Sequence, residues 1–362
     1  MRIALVGDIA LFGNSSLKGN PQILEGLREV TDYLSGFDYV IGNLETPFSI
    51  KKRPSGAKSG YLCSDPADVK ILKALNVSAV SIANNHLYDF GKEGVETTVR
   101  TLDEAGIPWF GMDGKDFRIE GGGNRIAVSG MCCYTTNPQK ISSRYGSKGL
   151  NRIHFTETAE LLRKNHEAGW LNILSVHSGI EHVNRPSADQ IRLTRKLAET
   201  APYVWHGHHP HAVQGTERYR DSVIAHSLGN FVFSEHPGDR LCPKIEFNEE
   251  NRTGKILELT LEGNKITGYR ETTTRINEDG SVSILSRASA DKYDDMLAEF
   301  DVDESAYTAK RNEQRQRWLI QRKGMRDLRW VMKRLRPRYF RLLWDYRNNS
   351  KKYHRDIKRH LT

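Results

Sequence analysis

Five short apolar runs, each stopping at a residue that can bind a metal or move a proton, limit what this chain can fold into more than anything else in it. Ile3-Ala4-Leu5-Val6 stops at Gly7-Asp8, Tyr39-Val40-Ile41 at Gly42-Asn43-Leu44-Glu45, and Ala79-Val80-Ser81-Ile82-Ala83 at Asn84-Asn85-His86. Ile173-Leu174-Ser175-Val176 stops at His177, and Tyr203-Val204-Trp205 at His206-Gly207-His208-His209-Pro210-His211. The runs are flat in hydrophobicity instead of alternating, which is the pattern of strands covered on both faces. In open α/β sheets ligands bind beyond the carboxyl ends of such strands. The expectation is therefore an α/β fold whose strand ends meet at one site.

The last run carries the densest chemistry. Four of the chain's 13 histidines fall within six residues. Neutral imidazole is a common metal ligand, and His209 and His211, two residues apart, can converge on one centre across a turn. Gly207 is expected to let the backbone turn there. The competing reading is a polar loop of solvated histidines. Asp8 and Glu45 have a competing reading as helix caps, and Asn85 as a left-handed turn residue. His226 reads as a hydrogen-bonded structural histidine. Ser227 lacks a Gly-x-Ser-x-Gly elbow and is not read as a nucleophile.

Helices fill the intervals. Ser64-Asp65-Pro66 opens one with a capping residue and a first-turn proline. Gly94 to Ala105 and Thr156 to Ala168 are closed by Gly106 and Gly169. Ser187-Ala188-Asp189-Gln190 has capping-box spacing. Gly121-Gly122-Gly123-Asn124 reads as a hairpin turn. Lys255 to Leu261 and Lys265 to Thr273 flank a second hairpin, expected to extend a second sheet.

The 362 residues suffice for one large α/β domain with an appendage, and the net charge of +9 is unevenly spread. Residues 309–362 hold 19 Lys/Arg against four Asp/Glu, a balance of +15, leaving −6 on the rest. The expected organisation is a domain over 1–287, an acidic linker over 288–308 and a basic helical tail over 309–362. Within the tail, Met325, Leu328, Met332 and Leu335 recur on one helical stripe, with Arg326, Arg329, Lys333 and Arg334 on other faces. Pro337 is expected to interrupt that helix before a second aromatic-apolar patch, Tyr339, Phe340, Leu343 and Trp344. A basic amphipathic segment with Trp318, Trp330 and Trp344 fits an anionic membrane surface. The competing reading is a helix packed on the body. No specific nucleic-acid partner is expected. The four cysteines show no CxxC or disulfide-scaffold spacing, and no run reaches the ~20 apolar residues of a membrane span. The N-terminal run is too short for a leader, so the expected location is cytoplasmic, peripheral at the inner membrane surface through the tail.

Taken in order, Gly7-Asp8, Asn43-Leu44-Glu45, Ala83-Asn84-Asn85-His86 with Asp89 and Gly91, His177-x-Gly179-x-Glu181, Gly207-His208-His209-Pro210-His211-x-x-Gln214 and Ser227-Leu228-Gly229-Asn230-Phe231 carry a resemblance. Over residues 1–235 the chain is similar to the capsule-synthesis or poly-γ-glutamate-synthesis (CapA-type) proteins, a branch of the calcineurin-like metallophosphoesterase fold. The resemblance implies a four-layer αββα sandwich with metals at the strand ends. It implies metal ligation by Asp8, Glu45 (as the bridging carboxylate), Asn85, His177, His209 and His211. A one-residue shift of register would exchange His208 for one of the last pair. It gives His86 the role of donating to a leaving group, oriented by Asp89. Ala10 stands where metallophosphoesterases have a histidine ligand, while Ser178 and His182 stand where the family has aromatic residues.

This mixture of O and N ligands suits one or two Mn, Fe or Zn ions. A metal pair lowers the pKa of a bound water and clamps the oxygens of a phosphoryl-type centre. The expected function is metal-dependent hydrolysis of a phosphoester or polymer linkage in making an anionic surface polymer. The alternative is a non-catalytic polymer-handling factor of the same pathway.

Overall fold

Successive residues of the first strand face different layers. Ile3 and Leu5 point between two sheets, while Ala4 and Val6 point toward a layer of helices. In the computed structural model, which describes residues 1–50, 53–285, 291–324 and 337–361, this period-2 division organises the whole body. One sheet holds β1 (Arg2–Ile9), β2 (Tyr39–Leu44), β3 (Ala79–Ser81) and β4 (Trp109–Phe110), all parallel. The other holds β5 (Phe117–Gly121), β6 (Asn124–Cys132), β7 (Leu171–His177), β8 (Tyr203–His208), β9 (Thr216–Tyr219) and β10 (Ser222–Ala225), in the order β5-β6-β7-β8-β10-β9.

Short β11 (Asn230–Val232) adds to the far end of β1. The hairpin of β12 (Thr253–Glu262) and β13 (Lys265–Ile276) pairs antiparallel with β1, and β14 (Val282–Ile284) closes that edge. This corrects the expectation for the hairpin. It widens the sheet that begins with β1, because Arg2 to Val6 offer β12 a free ladder.

Between the sheets lies a dry layer that includes Ile41, Ile126, Ile173, Val204 and Leu257. Outside the first sheet pack α1 (Ile23–Gly26), α2 (Arg28–Leu34), α3 (Val69–Ala74) and α4 (Gly91–Ala105), through Val30, Leu72 and Leu102 among others. Outside the second pack α5 (Phe155–Glu167) and α6 (Ala188–Ala198), through Leu162, Leu193 and Leu197. The result is a four-layer αββα sandwich. The punctuation read from the sequence is where it was expected. Asp65 caps with Pro66 behind it, Gly106 and Gly169 take left-handed conformations, and Gly122-Gly123 turn between β5 and β6. At Ser187 only half of a capping box forms: its Oγ accepts from the Gln190 N–H, while the Gln190 amide reaches the His226 carbonyl instead.

The acidic stretch is not an open linker. After the short α7 (Glu249–Arg252), α8 (Asp291–Val302) is a helix that buries Tyr293, Leu297 and Phe300 on the body, and Asp294 accepts from the Thr216 N–H. α9 (Glu304–Gly324) follows, held by Tyr307 Oη donating to the Pro186 carbonyl at 2.9 Å. Pro337 is the first residue of the next described helix, α10 (Pro337–Asp356), a position where its missing N–H costs nothing; the helix it is expected to interrupt lies in part outside the described residues. The far end of α10 is docked. Tyr353 and Ile357 pack on the outer face of the second sheet, and buried Asp356 pairs with Arg152 at 3.0 Å. The stripe of Met325, Leu328, Met332 and Leu335, the basic residues Arg326, Arg329, Lys333 and Arg334, and Trp330 lie outside the described residues, as do 286–290 at the expected domain boundary.

Candidate metal centre

Because the parallel strands of both sheets point the same way, their carboxyl ends form one rim. Asp8 lies within β1, Glu45 directly follows β2, Asn85 and His86 lie just beyond β3, His177 closes β7 and His208 closes β8. All nine residues singled out from the sequence belong to this rim or its second layer. Two donor groups emerge among the described residues, one of Asp8, His177 and His208 and one of Asp8, Glu45 and His211, each with ligand atoms within 4.8 Å of one another. Asp8, not Glu45, is thus the carboxylate common to both. Asn85 adjoins the first group, its Oδ1 lying 3.0 Å from His177 Nε2.

The histidines divide by how their backbone presents them. β8 runs through His208, whose Nδ1 lies 2.9 Å from His177 Nδ1 and whose Nε2 lies 3.0 Å from Ser175 Oγ. The chain then turns at His209 (φ 101) and His211 (φ 52), left-handed conformations that cost a non-glycine residue free energy and recur at functional sites. Gly207 plays a different part from the one expected. It stays in the strand, and a Cβ there would meet the His226 carbonyl at 2.0 Å, so only glycine fits. His211 holds its Nδ1 2.9 Å from Asn230 Oδ1, which leaves Nε2 facing Glu45 Oε1 at 3.4 Å. His209 stands in neither group, although its ring centroid is 4.6 Å from that of His177 and its buried Nδ1 has no partner among the described residues. His206 is structural: its Nε2 donates to the Val6 carbonyl at 2.7 Å and ties the two sheets together.

Whether these residues suit a cation is tested by Glu45. It is fully buried, and neither carboxylate oxygen has a hydrogen-bond partner among the described residues. A buried carboxylate left without donors is costly unless a positive charge faces it. The surrounding protonation equilibria divide the site. Burial and the Glu45 charge push the Asp8 carboxyl up to about 8, against the opposing influence of His211 and Asn43. Burial also acts to raise Glu45, but His211, with His86 and His209, outweighs it and holds that carboxyl below its ordinary range. Burial would lower His211, but Glu45 and Asp8 outweigh it and raise it to about 10. Burial, reinforced by neighbouring imidazoles, keeps His177 and His208 well below the usual histidine range, the neutral form that ligates. Carboxylates with the neutral imidazoles of His177 and His208, and a Glu45 carboxylate without a hydrogen bond among the described residues, fit a divalent cation, which would take the place of the proton on His211.

Around this core stands a layer the sequence showed only in part. Asn43 Nδ2 donates to Asp8 Oδ1 at 2.7 Å, and Asn84 Nδ2 donates to the Leu44 carbonyl at 2.8 Å. His86 Nδ1 lies 2.7 Å from Asp89 Oδ2, which turns Nε2 toward Glu45 Oε1 at 3.7 Å. Lys58, which no motif announced, is buried behind this pair. Its Nζ donates to Asp89 Oδ1 at 2.5 Å and to the Asn85 carbonyl at 2.7 Å. Asn230 and Asn251 likewise brace His211, and Asn251 sits in no motif either. His226 is a structural histidine, buried with its Nε2 3.3 Å from Glu217. His86 and His211 keep 12% and 13% of their side chains exposed, so the site opens to solvent between them.

Similarity to known proteins falls on the part of the chain that builds the rim. The family model for the bacterial capsule synthesis protein PGA_cap matches residues 2–235, the stretch that contains every residue of both donor groups. The capsule biosynthesis protein CapA of Bacillus anthracis is 27% identical over 220 residues, covering 58% of this chain and 53% of its own. The PGA biosynthesis protein CapA of Bacillus subtilis (strain 168) is 27% identical over 204 residues, covering 55% and 54%. The chain thus spans about half the length of these relatives. A putative 5'-nucleotidase from Staphylococcus aureus superposes with a TM-score of 0.43 at 10% identity, over 83% of this chain and 59% of its own. On the match over residues 2–235, this chain belongs to the bacterial capsule synthesis protein (PGA_cap) family.

Proposed function

We propose that this protein is a metal-dependent hydrolase that cleaves a phosphoester or a polymer linkage during production of a capsule or poly-γ-glutamate. The observation that carries the proposal is the buried Glu45 carboxylate without hydrogen-bond donors, set between His86 Nε2 and His211 Nε2 at the rim shared by both donor groups. Asp8, His177 and His208, with Asn85, would hold one divalent ion, and Asp8, Glu45 and His211 a second, with His209 close to both. When bound, such ions supply Lewis acidity, an acidified water and charge neutralisation at a phosphoryl-type centre. The protein's own part is orientation. Asp89 fixes the His86 ring so that Nε2 faces the open side of the site, where it can pass a proton to a leaving oxygen. The substrate would be anionic, and Mn, Fe and Zn all suit the ligand mixture.

The relatives' names support the pathway and the donor set supports the chemistry. The test is metal analysis of the purified full chain, followed by assay against phosphomonoesters and phosphodiesters. Wild type should bind divalent metal and turn over at least one class. Glu45→Ala should weaken metal binding by more than the ~10–100-fold typical of losing an outer-layer partner, whereas His226→Ala should leave it intact. Metal binding without turnover of any substrate would favour a polymer-handling role. Equal metal loss from both variants would mean that the site lies elsewhere. No described helix is long and apolar enough to cross a membrane. The proposal places the protein in the cytoplasm and at an anionic membrane surface through its C-terminal helices.

A further inference from the structure

We infer that Trp318, far outside the segment that matches the family, is a positioning residue of the metal centre, acting on His211 through His182 and Asn251. The inference rests on the metal-site reading above. The chain of contacts begins at the left-handed turn. The His211 carbonyl accepts from Asn251 Nδ2 at 2.8 Å. The same amide nitrogen donates to His182 Nδ1 at 2.9 Å, so both of its protons are committed. Accepting at Nδ1 places the His182 proton on Nε2. The His182 N–H in turn donates to the Pro210 carbonyl at 2.7 Å, and His182 itself is left-handed at φ 60. Left-handed His182 and the 209–211 turn, with its left-handed His209 and His211, are thus laced together beside the Asp8, Glu45 and His211 group.

What fixes the His182 ring is the C-terminal segment. The Trp318 indole stacks on it, with centroids 5.6 Å apart and planes at 29°. Trp318 is held there by contacts that do not involve the site. α9 is pinned by Tyr307 to the Pro186 carbonyl, by Arg311 Nε donating to the Arg185 carbonyl at 3.1 Å, and by buried packing of Tyr307 against Phe300. Residues 182–187 therefore carry both the clamp on His211 and the seat of α9. Without the indole, the His182 ring can rotate and its Nδ1 leaves the Asn251 amide. The strained 209–211 turn then loses a restraint, and the His211 ring drifts from Asp8, which its Nδ1 faces, and from Glu45, which its Nε2 faces.

The experiment uses the full chain, stripped with a chelator and titrated calorimetrically with Mn²⁺. Trp318→Ala should weaken Mn²⁺ binding by about 10-fold, the low end of what outer partners of a metal ligand cost. Trp318→Phe, which keeps a stacking ring, should restore most of it, and Trp344→Ala on α10 should change nothing. A Trp318→Ala protein that melts like wild type and binds Mn²⁺ with wild-type affinity overturns the inference. Loss of Mn²⁺ binding in Trp318→Phe equal to that in Trp318→Ala overturns it as well, since stacking would then be irrelevant. If wild type itself binds no Mn²⁺, the metal reading fails, and amide exchange at His209 and His211 decides the positioning separately. Faster exchange there in Trp318→Ala than in wild type supports the clamp, and unchanged exchange refutes it.

Discussion

Lys58 shows how a site can be half visible from sequence. Asp8, Glu45, Asn85, His86, His177 and His211 were legible because each follows an apolar run and each is a ligand or proton-transfer type. Lys58 comes from a loop with no such signature, and Asn251 from a short capping turn 40 residues past the ligand it braces. Neither position has a local pattern, because partnership across a folded interior leaves no spacing in the chain. His208 and His209 illustrate the other limit. Ligand type was readable, but only the course of β8 shows that His208 points into one donor group while His209 lies outside both. The residue-scale prediction concerns Lys58, whose side chain is 8% exposed against a fully buried Asp89. Replacing it by Met leaves the buried Asp89 carboxylate without its cation, with the His86 ring and the Leu62 N–H as its partners among the described residues, which costs up to about 3–5 kcal/mol, whereas removing both charges removes most of the penalty. Lys58→Met should therefore melt well below wild type, and Lys58→Met/Asp89→Asn should recover most of that loss. A double variant no more stable than Lys58→Met would show that the lysine packs without pairing.

At the scale of elements, strands announced themselves because both faces are buried, and helix ends because Asp65, Gly106 and Gly169 have conformational jobs that other residues do poorly. What misled was net charge. The stretch from Asp291 to Val302 is acidic enough to read as a linker, yet Tyr293, Leu297 and Phe300 form a stripe at helical spacing. Its carboxylates are not idle, since Asp294, Glu299 and Asp301 pair with Lys255, Arg185 and Arg195 on the body. The fit is close: a Cβ on Gly215 would meet Leu297 Cβ at 2.7 Å. Leu297→Ala should therefore cost about 2–5 kcal/mol, the range for a buried leucine truncated in a core. Because α8 leads directly into α9, the same variant should raise the protease sensitivity of the C-terminal segment before that of the sandwich. If thermal unfolding and proteolysis of the whole chain stay at wild-type values, α8 is a loosely held appendage.

The whole molecule is electrostatically divided, with +15 on residues 309–362 and −6 on the rest. The folded chain gives that division a shape. α10 turns its final residues inward, with Asn349 and Asp356 buried, and turns Phe340, Leu343, Trp344 and Tyr346 outward, each more than half exposed. Arg341, Arg347 and Lys351 are exposed along the same helix. Four large apolar side chains held in water by a helix anchored at its other end are an unusual surface, since exposed apolar patches mark interaction sites. Basic flanks make an anionic bilayer the proposed occupant, at about 1 kcal/mol per well-placed Lys or Arg. That attraction is screened over ~8 Å at physiological ionic strength. Full-length protein should therefore sediment with phosphatidylserine-containing vesicles at low salt, release as salt rises, and ignore neutral phosphatidylcholine vesicles. Phe340→Ala/Leu343→Ala/Trp344→Ala should abolish most of this binding without lowering the melting temperature, because those side chains are exposed in the fold. The same variant leaves Asp356, Arg152 and the metal centre untouched, so metal content should not change. Wild-type protein that stays in solution with anionic vesicles at low salt defeats the membrane proposal. If wild type self-associates with concentration while the triple variant stays monomeric, the stripe joins two copies of this chain instead.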